Sequence, residues 1–191
     1  MLFRLSGGVY VQPPFYRELR MFDGSLVSPE KASTQKSYQV VFTHEYNFTA
    51  WDRPFVLTSE LYYKYLKDII PYEVDNIRIR YYADQRATGY ATGLDLRLNG
   101  EFVKGIESWA SLSIMKSAEN IKYYLSANGN ILSQTQVDNG AEYVCDTIIK
   151  GIPRPSDQRI NFSLFFQDYL PYIPSFKVNL KLVFGTGMPF G

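Results

Sequence analysis

Three acidic side chains, Glu45, Glu60 and Asp95, are the groups here best suited to acid–base chemistry. Paired carboxylates can flank a glycosidic bond and supply both an acid and a nucleophile or base. Each of the three alternates with apolar residues in an extended stretch, where a charge on a wet face needs no catalytic role. Ser111 and Ser113 lack a nucleophile elbow, and the single histidine, His44, falls on the apolar side of its own alternation, so no Ser–His triad is assembled. One histidine also excludes a His–His metal pair, and one cysteine, Cys145, excludes a disulfide framework or a Cys-based metal site. "GTG" at 185–187 lacks the strand–loop–helix setting of a phosphate loop. Asp138, Asn139 and Gly140 carry calcium-type oxygens, but turns use the same residues for backbone reasons. Asn47 and Asn161 open Asn-x-Ser/Thr sequons inside extended stretches, not in the surface loops that accept glycans. The sequence reads as a non-catalytic chain with no metal site and no cofactor.

The elements that carry these residues are strands. Phe3, Leu5, Gly7, Val9 and Val11 alternate with polar residues in a first strand at about 1–12. A second, about 37–48, sets Val40, Phe42, His44, Tyr46 and Phe48 against Gln39, Thr43, Glu45 and Asn47. A third, about 54–66, sets Phe55, Leu57, Leu61, Tyr63 and Tyr65 against Thr58, Glu60, Tyr62 and Lys64. Leu94, Leu96 and Leu98 then alternate with Asp95 and Arg97, and after a short polar break Ala110, Leu112 and Ile114 alternate with Ser111 and Ser113, which is a hairpin pattern. The last two strands, about 158–169 and about 176–184, follow the same rule. The short piece "NIRIRYY" alternates within the connection at 67–88, and the longest connection runs from Lys116 to about Asp157.

Connections therefore run long, short, long, short, long, short. Outer-membrane barrels have that pattern, because turns at the periplasmic end are short and loops at the external end are long. The aromatic content points the same way. Tyr and Phe number 16 and 13, and rings gather at the short turns: Phe48, Trp51 and Phe55 at one, Tyr169, Tyr172 and Phe176 at another, Phe102 at the third. A girdle of rings at the membrane–water boundary has this placement, although cross-strand pairs stapling a hairpin would share it, and His44 reads as an interfacial or girdle residue. A Lys or Arg on a lipid-facing position costs roughly 2–4 kcal/mol at mid-membrane, so Glu60, Lys64, Asp95, Arg97, Lys177 and Lys181 are expected to face a wet lumen. A formal net charge of +1 gives no long-range attraction to nucleic acid. No apolar run approaches a membrane helix, and the N-terminal residues do not read as a signal peptide.

Ligand contacts are expected from the long connections. The candidates are Phe15, Tyr16 and Arg17 in one, and Arg78, Arg80, Tyr81 and Tyr82 in another. Tyrosine faces suit sugars, and arginine suits carboxylates or phosphates. The competing role is structural, with both segments holding loops in place.

Four collinear stretches, "QPPFYREL", "YKYLKDIIPYEVDNIRIRYYADQRATG", "GYATGLDLRLNGEFVKGIESWASLSIM" and "PRPSDQRINFSLFFQDYLP…LKLVFGTGMPFG", resemble the barrel domain of TonB-dependent outer-membrane receptors. The branch most similar has a carboxypeptidase-regulatory-like domain ahead of the plug. Gly93 before Asp95 also fits a looser pattern of these barrels. The resemblance implies a barrel of about 22 strands around a plug, importing a scarce nutrient with energy passed on by TonB. It implies as partners outer-membrane lipid, the plug of the same full-length chain, TonB of the inner-membrane energising complex, and in some cases a surface lipoprotein. The expected fold is thus all-β: an antiparallel up-and-down meander of about seven strands, residues 1–191 forming one segment of a large, incomplete transmembrane barrel. The plug, signal peptide and remaining strands are expected elsewhere in a longer receptor. Two other classes compete: a non-transporting outer-membrane barrel, such as an adhesin or structural pore, and a secreted β-sandwich that binds carbohydrate through its tyrosines.

Overall fold

The structure is a computed structural model that describes residues 1–20, 24–27, 34–75, 78–83, 85–132, 137, 140–170 and 173–188. Its strands are β1 (Leu2–Gln12), β2 (Gln35–Ala50), β3 (Arg53–Ile69), β4 (Tyr72–Asp75), β5 (Arg78–Tyr81), β6 (Ala87–Val103), β7 (Ile106–Leu125), β8 (Ile131–Leu132), β9 (Cys145–Pro153), β10 (Ile160–Leu170) and β11 (Ile173–Gly185). The main sheet runs β1-β2-β3-β6-β7-β10-β11, antiparallel throughout, with β8 and β9 added along β7; β4 and β5 pair separately. It is a seven-strand meander, not closed into a barrel. The outer sides of β1 and β11 are its open edges.

Register decides which residues share a face, because a slip of one residue would reverse every side chain. Here one row reads Phe3, His44, Ser59, Leu96, Leu112, Phe162, Phe184 across all seven strands. The next reads Leu5, Phe42, Leu61, Leu94, Ile114, Ile160. On the other side of it lies Tyr46, Leu57, Leu98, Ala110, Leu164, Leu182. The apolar positions of every strand therefore fall on one face. Among the described residues no element packs on it: Leu5 is 73% exposed, Leu61 56% and Leu180 55%.

The strand connections keep their alternation. β2 joins β3 through Trp51 and Asp52, β6 joins β7 through Lys104 and Gly105, and 171–172 lie between β10 and β11. Trp51 and Asp52 both have positive φ, 51° and 57°, the backbone of a type I′ turn whose twist matches the flanking strands. Gly105 has φ 77°, and its N–H donates to Glu101 Oε2 at 3.0 Å, which closes the second turn.

Past the third long boundary the structure departs from the sequence-based expectation. The strand that reads as ending at Lys116 continues to Leu125, and part of the expected loop returns along it as β9. β9 and β10 both pair the same edge of β7, β9 against 118–125 and β10 against 109–114. Between them, residues 154–159 stand opposite only 115–117 of β7, so the chain bulges. The bulge is tied down. Asp157, buried at 3% exposure, accepts from the Ser117 N–H at 2.6 Å and pairs with Arg159 Nε at 2.7 Å.

A buried apolar cluster also lies at this end: Ile69, Ala87 and Ile121, flanked by Leu66, Tyr123 and Ile152. The sheet's middle has no such cluster among the described residues.

Candidate membrane face and ligand-facing rim

The polar face gathers the six charged residues assigned to a lumen. Glu60 stands opposite Asp95, and Arg97 is opposite Thr58. Lys64 is opposite Ala91, and across the sheet Lys181 and Lys177 are opposite Phe165 and Tyr169. Rings hold the cations: Lys64 lies 5.3 Å from the Tyr62 ring, Arg97 5.5 Å from Trp109, and Lys177 5.4 Å from Tyr169. Glu60 Oε1 accepts from Thr43 Oγ1 at 3.2 Å. Tyr62 covers Gly93, where a Cβ would lie 2.5 Å from the tyrosine oxygen and 2.7 Å from the Ile114 carbonyl oxygen. Glycine is required at position 93 because the ring crosses the strand there. Asn47 and Asn161 lie within β2 and β10 on this same polar face.

The apolar face has a measurable height. Along β2 it runs from Tyr38 to Phe48, roughly 33 Å of strand at about 3.3 Å per residue, or about 25 Å at the roughly 40° tilt of membrane barrels. At the short-turn end it closes in rings: Phe48 stacks on Phe55 at 5.6 Å, while Trp51 and Phe102 meet Phe55 edge-on at 5.8 and 5.2 Å. At the long-connection end, Tyr38–Tyr65 and Tyr63–Tyr90 pairs border it, at 6.2 and 6.5 Å. Beyond them lie Lys36 and Lys67, directly opposite one another.

Three placements differ from the sequence reading. His44 lies on the apolar face but in its middle rather than at its rim, 4.8 Å from the Phe3 ring, with a buried Nε2 that has no hydrogen-bond partner among the described residues. Tyr169 lies on the polar face beside Lys177, not in the ring belt, because a strand alternates and Tyr169 is an odd number of steps from Phe166. Lys116 follows Leu112 and Ile114 on the apolar face, so charge is not confined to the polar side. Tyr172, Asp138 and Asn139 lie outside the described residues.

The two candidate ligand segments converge. Tyr16–Leu19 form a single 3₁₀ turn in which the Phe15 N–H donates to Glu18 Oε2 at 2.8 Å, and Gln35 Nε2 donates to the same oxygen at 3.0 Å. This turn packs against β5. Burial, and secondarily the nearby Glu18 carboxylate, push the Tyr81 hydroxyl above its ordinary value. Tyr81 pairs with Tyr72, ring centroids 5.8 Å apart, and the Arg154 guanidinium sits 5.9 Å from the Tyr72 ring. Phe15 and Tyr16 stand 64% and 66% exposed beside Arg17, and Arg78 and Arg80 lie exposed on β5. Tyr82 donates its N–H to the Pro71 carbonyl at 2.9 Å, a hairpin-fixing role.

Sequence reasoning missed Glu119, Arg154 and Asp157. Glu119 is 3% exposed, and Arg154 Nε approaches its Oε2 at 3.6 Å, as an ion pair without a hydrogen bond. Burial raises the Glu119 carboxyl above the usual range, and Arg154 opposes that rise. Nearby, Lys122 Nζ is 2.6 Å from Asp146 Oδ2, a contact that raises the lysine and lowers the aspartate. Two prolines and alternating charges in "PRPSDQR" were the available signal. Among the described residues no group of three His, Cys, Asp or Glu side chains is placed to hold a metal ion. Comparison with protein families, curated proteins and solved structures finds no match.

Proposed function

We propose that this chain forms part of the wall of an outer-membrane β-barrel, and that the barrel is a TonB-dependent receptor for active uptake of a nutrient. The observation that carries the membrane reading is the continuous apolar face. It crosses all seven strands, is about 25 Å tall, and is bordered by rings at both ends. A soluble sandwich would cover such a face with a second sheet; a bilayer covers it with lipid. The open edges of β1 and β11 fit continuation of the sheet. An odd-numbered meander starts and ends in the same direction, so antiparallel closure calls for an odd number of further strands.

The receptor reading rests on the resemblance of the four stretches and on the shelf where Phe15–Arg17 meets β5. In this reading the polar face lines the lumen and contacts the plug. The shelf meets ligand, or a surface lipoprotein, and the outer-membrane lipid lies against Leu61, Leu94 and Ile114. TonB acts through the plug.

Cys145 supplies the test. It is the single cysteine, it is exposed, and it lies at the long-connection end. A membrane-impermeant maleimide applied to intact cells should label Cys145. Cysteines placed at Asp52 or Lys104 in a Cys145→Ser background should react only after permeabilisation. Equal labelling of all three sites in intact cells, or recovery of the protein in the soluble fraction, rejects the membrane reading. Co-purification of the full-length protein with TonB then separates a receptor from a passive barrel.

A further inference from the structure

The bulge at 154–159 opens a notch in the apolar face. Because the six residues 154–159 between β9 and β10 stand opposite three of β7, β10 starts displaced from the line of β9. The resulting groove has a volume of about 480 Å³. Its apolar floor is Leu61, Leu94, Ile114 and Ile160, and its upper lip is Lys116 and Arg159. Between the Phe48 and Tyr38 rows, Lys116 is the only Lys, Arg, Asp or Glu on the strands' apolar face among the described residues, and it has no ion-pair partner there. Arg159 is 49% exposed and uses Nε for Asp157. Its terminal nitrogens make no hydrogen bond among the described residues. With Asp157 counted, the lip carries a net charge of +1.

A lone lysine on a lipid-facing surface is costly at mid-membrane and cheap near the boundary, where its chain can reach headgroups. Lys116 is level with Tyr63, next to the tyrosine border, so it is at that depth. A groove of this shape below two cations fits one molecule with an anionic head and an apolar tail. The geometry points to a binding site for a membrane lipid with a net-anionic phosphate headgroup, which takes Lys116 and Arg159 while an acyl chain lies along Leu61, Leu94 and Ile114. This inference rests on the membrane reading above and adds a defined lipid partner to it.

The test uses the native protein containing this chain, extracted from membranes into detergent. Native mass spectrometry measures retention of dioleoylphosphatidylglycerol against dioleoylphosphatidylcholine. The wild-type protein should retain the anionic lipid preferentially, and Lys116→Gln should weaken that retention about fivefold, the usual worth of one basic residue near an anionic surface. Arg159→Gln should act similarly, Lys116→Arg should preserve the preference, and Lys116→Glu should abolish it. Unchanged electrophoretic mobility of the folded form confirms that each variant keeps its sheet. Equal retention of the two lipids by the wild type, or an undiminished preference in Lys116→Glu, overturns the site. Such a result in a protein that still requires detergent for extraction leaves the membrane reading standing. Extraction without detergent removes both.

Discussion

Phe55 shows how one residue fixes one end of the sheet. Its ring is 2% exposed and lies across β6, where a Cβ at Gly100 would come within 2.2 Å of the ring. Gly100→Ala should therefore expel Phe55 and destabilise the protein by about 1.5–3 kcal/mol, the worth of burying such a side chain. Trp51, 5.8 Å from that ring, would report the change as a shift in its emission. Gly93→Ala should be worse, because the obstacle includes the Ile114 carbonyl of the neighbouring backbone, which a rotamer change cannot move. The turn supplies a change of opposite sign. Asp52 has φ 57°, a left-handed conformation that costs a non-glycine residue about 1–2 kcal/mol. Asp52→Gly should stabilise the β2–β3 hairpin by about 1 kcal/mol, measured by denaturant unfolding in detergent.

At the scale of elements, the β7–β9 extension is distinct from the rest. β7 has 20 residues, roughly 66 Å of strand, whereas about 9–11 residues cross a bilayer. The excess stands beyond the tyrosine border and is held by local contacts. Asp157→Ala would leave the buried Ser117 N–H without its acceptor, at a cost of about 1–3 kcal/mol. Faster amide exchange in β9, with β2 and β3 unchanged, would show it. Acid acts on two sites with opposite sign. Asp146 is lowered by its hydrogen bond from Lys122, so its contribution is present above the ordinary aspartate value and is lost as pH falls through the lowered one. Glu119 is raised by burial, so its ionisation opposes folding, and stability declines as pH rises from the ordinary glutamate value through the raised one. The protection of the Thr147–Ile149 amides, their exchange taken relative to the intrinsic rate at each pH, should fall at the acid end through Asp146. At the upper end it should fall in the wild type and not in Glu119→Gln.

For the molecule as a whole, the decisive property is an apolar face that no described residue covers. Leu5, Leu61 and Leu180 lie on β1, β3 and β11 of that face and are all more than half exposed. Two open edges, β1 and β11, add unpaired backbone groups. The chain should remain folded in detergent micelles and aggregate when the detergent is diluted away, a difference that sedimentation and far-ultraviolet circular dichroism would show together. Solubility as a monomer in plain buffer would instead mean that the sheet folds over on itself. The long connections have a different character: the 3₁₀ turn packs against β5, Arg154 meets the Tyr72 ring, and Ile69, Ala87 and Ile121 are buried together.

The alternation of apolar and polar residues determined the strands, the face each residue takes, and the long–short order of connections. These depend on a two-residue period that is local and survives any tertiary arrangement. Lys64, Asp95 and Lys181 were legible as members of one face for that reason. The extension of β7 and the existence of β9 were not. In "AENIKYYL" and "CDTIIKGIP" the period is broken, since one side of β7 there packs on Ile69 and Ala87 while β9 is exposed on nearly every residue. Only the tertiary structure brought Arg17 beside Tyr81, and only it opened the notch below Lys116 and Arg159. Both arise from residues distant in sequence meeting through strand register and a bulge, which no local pattern records.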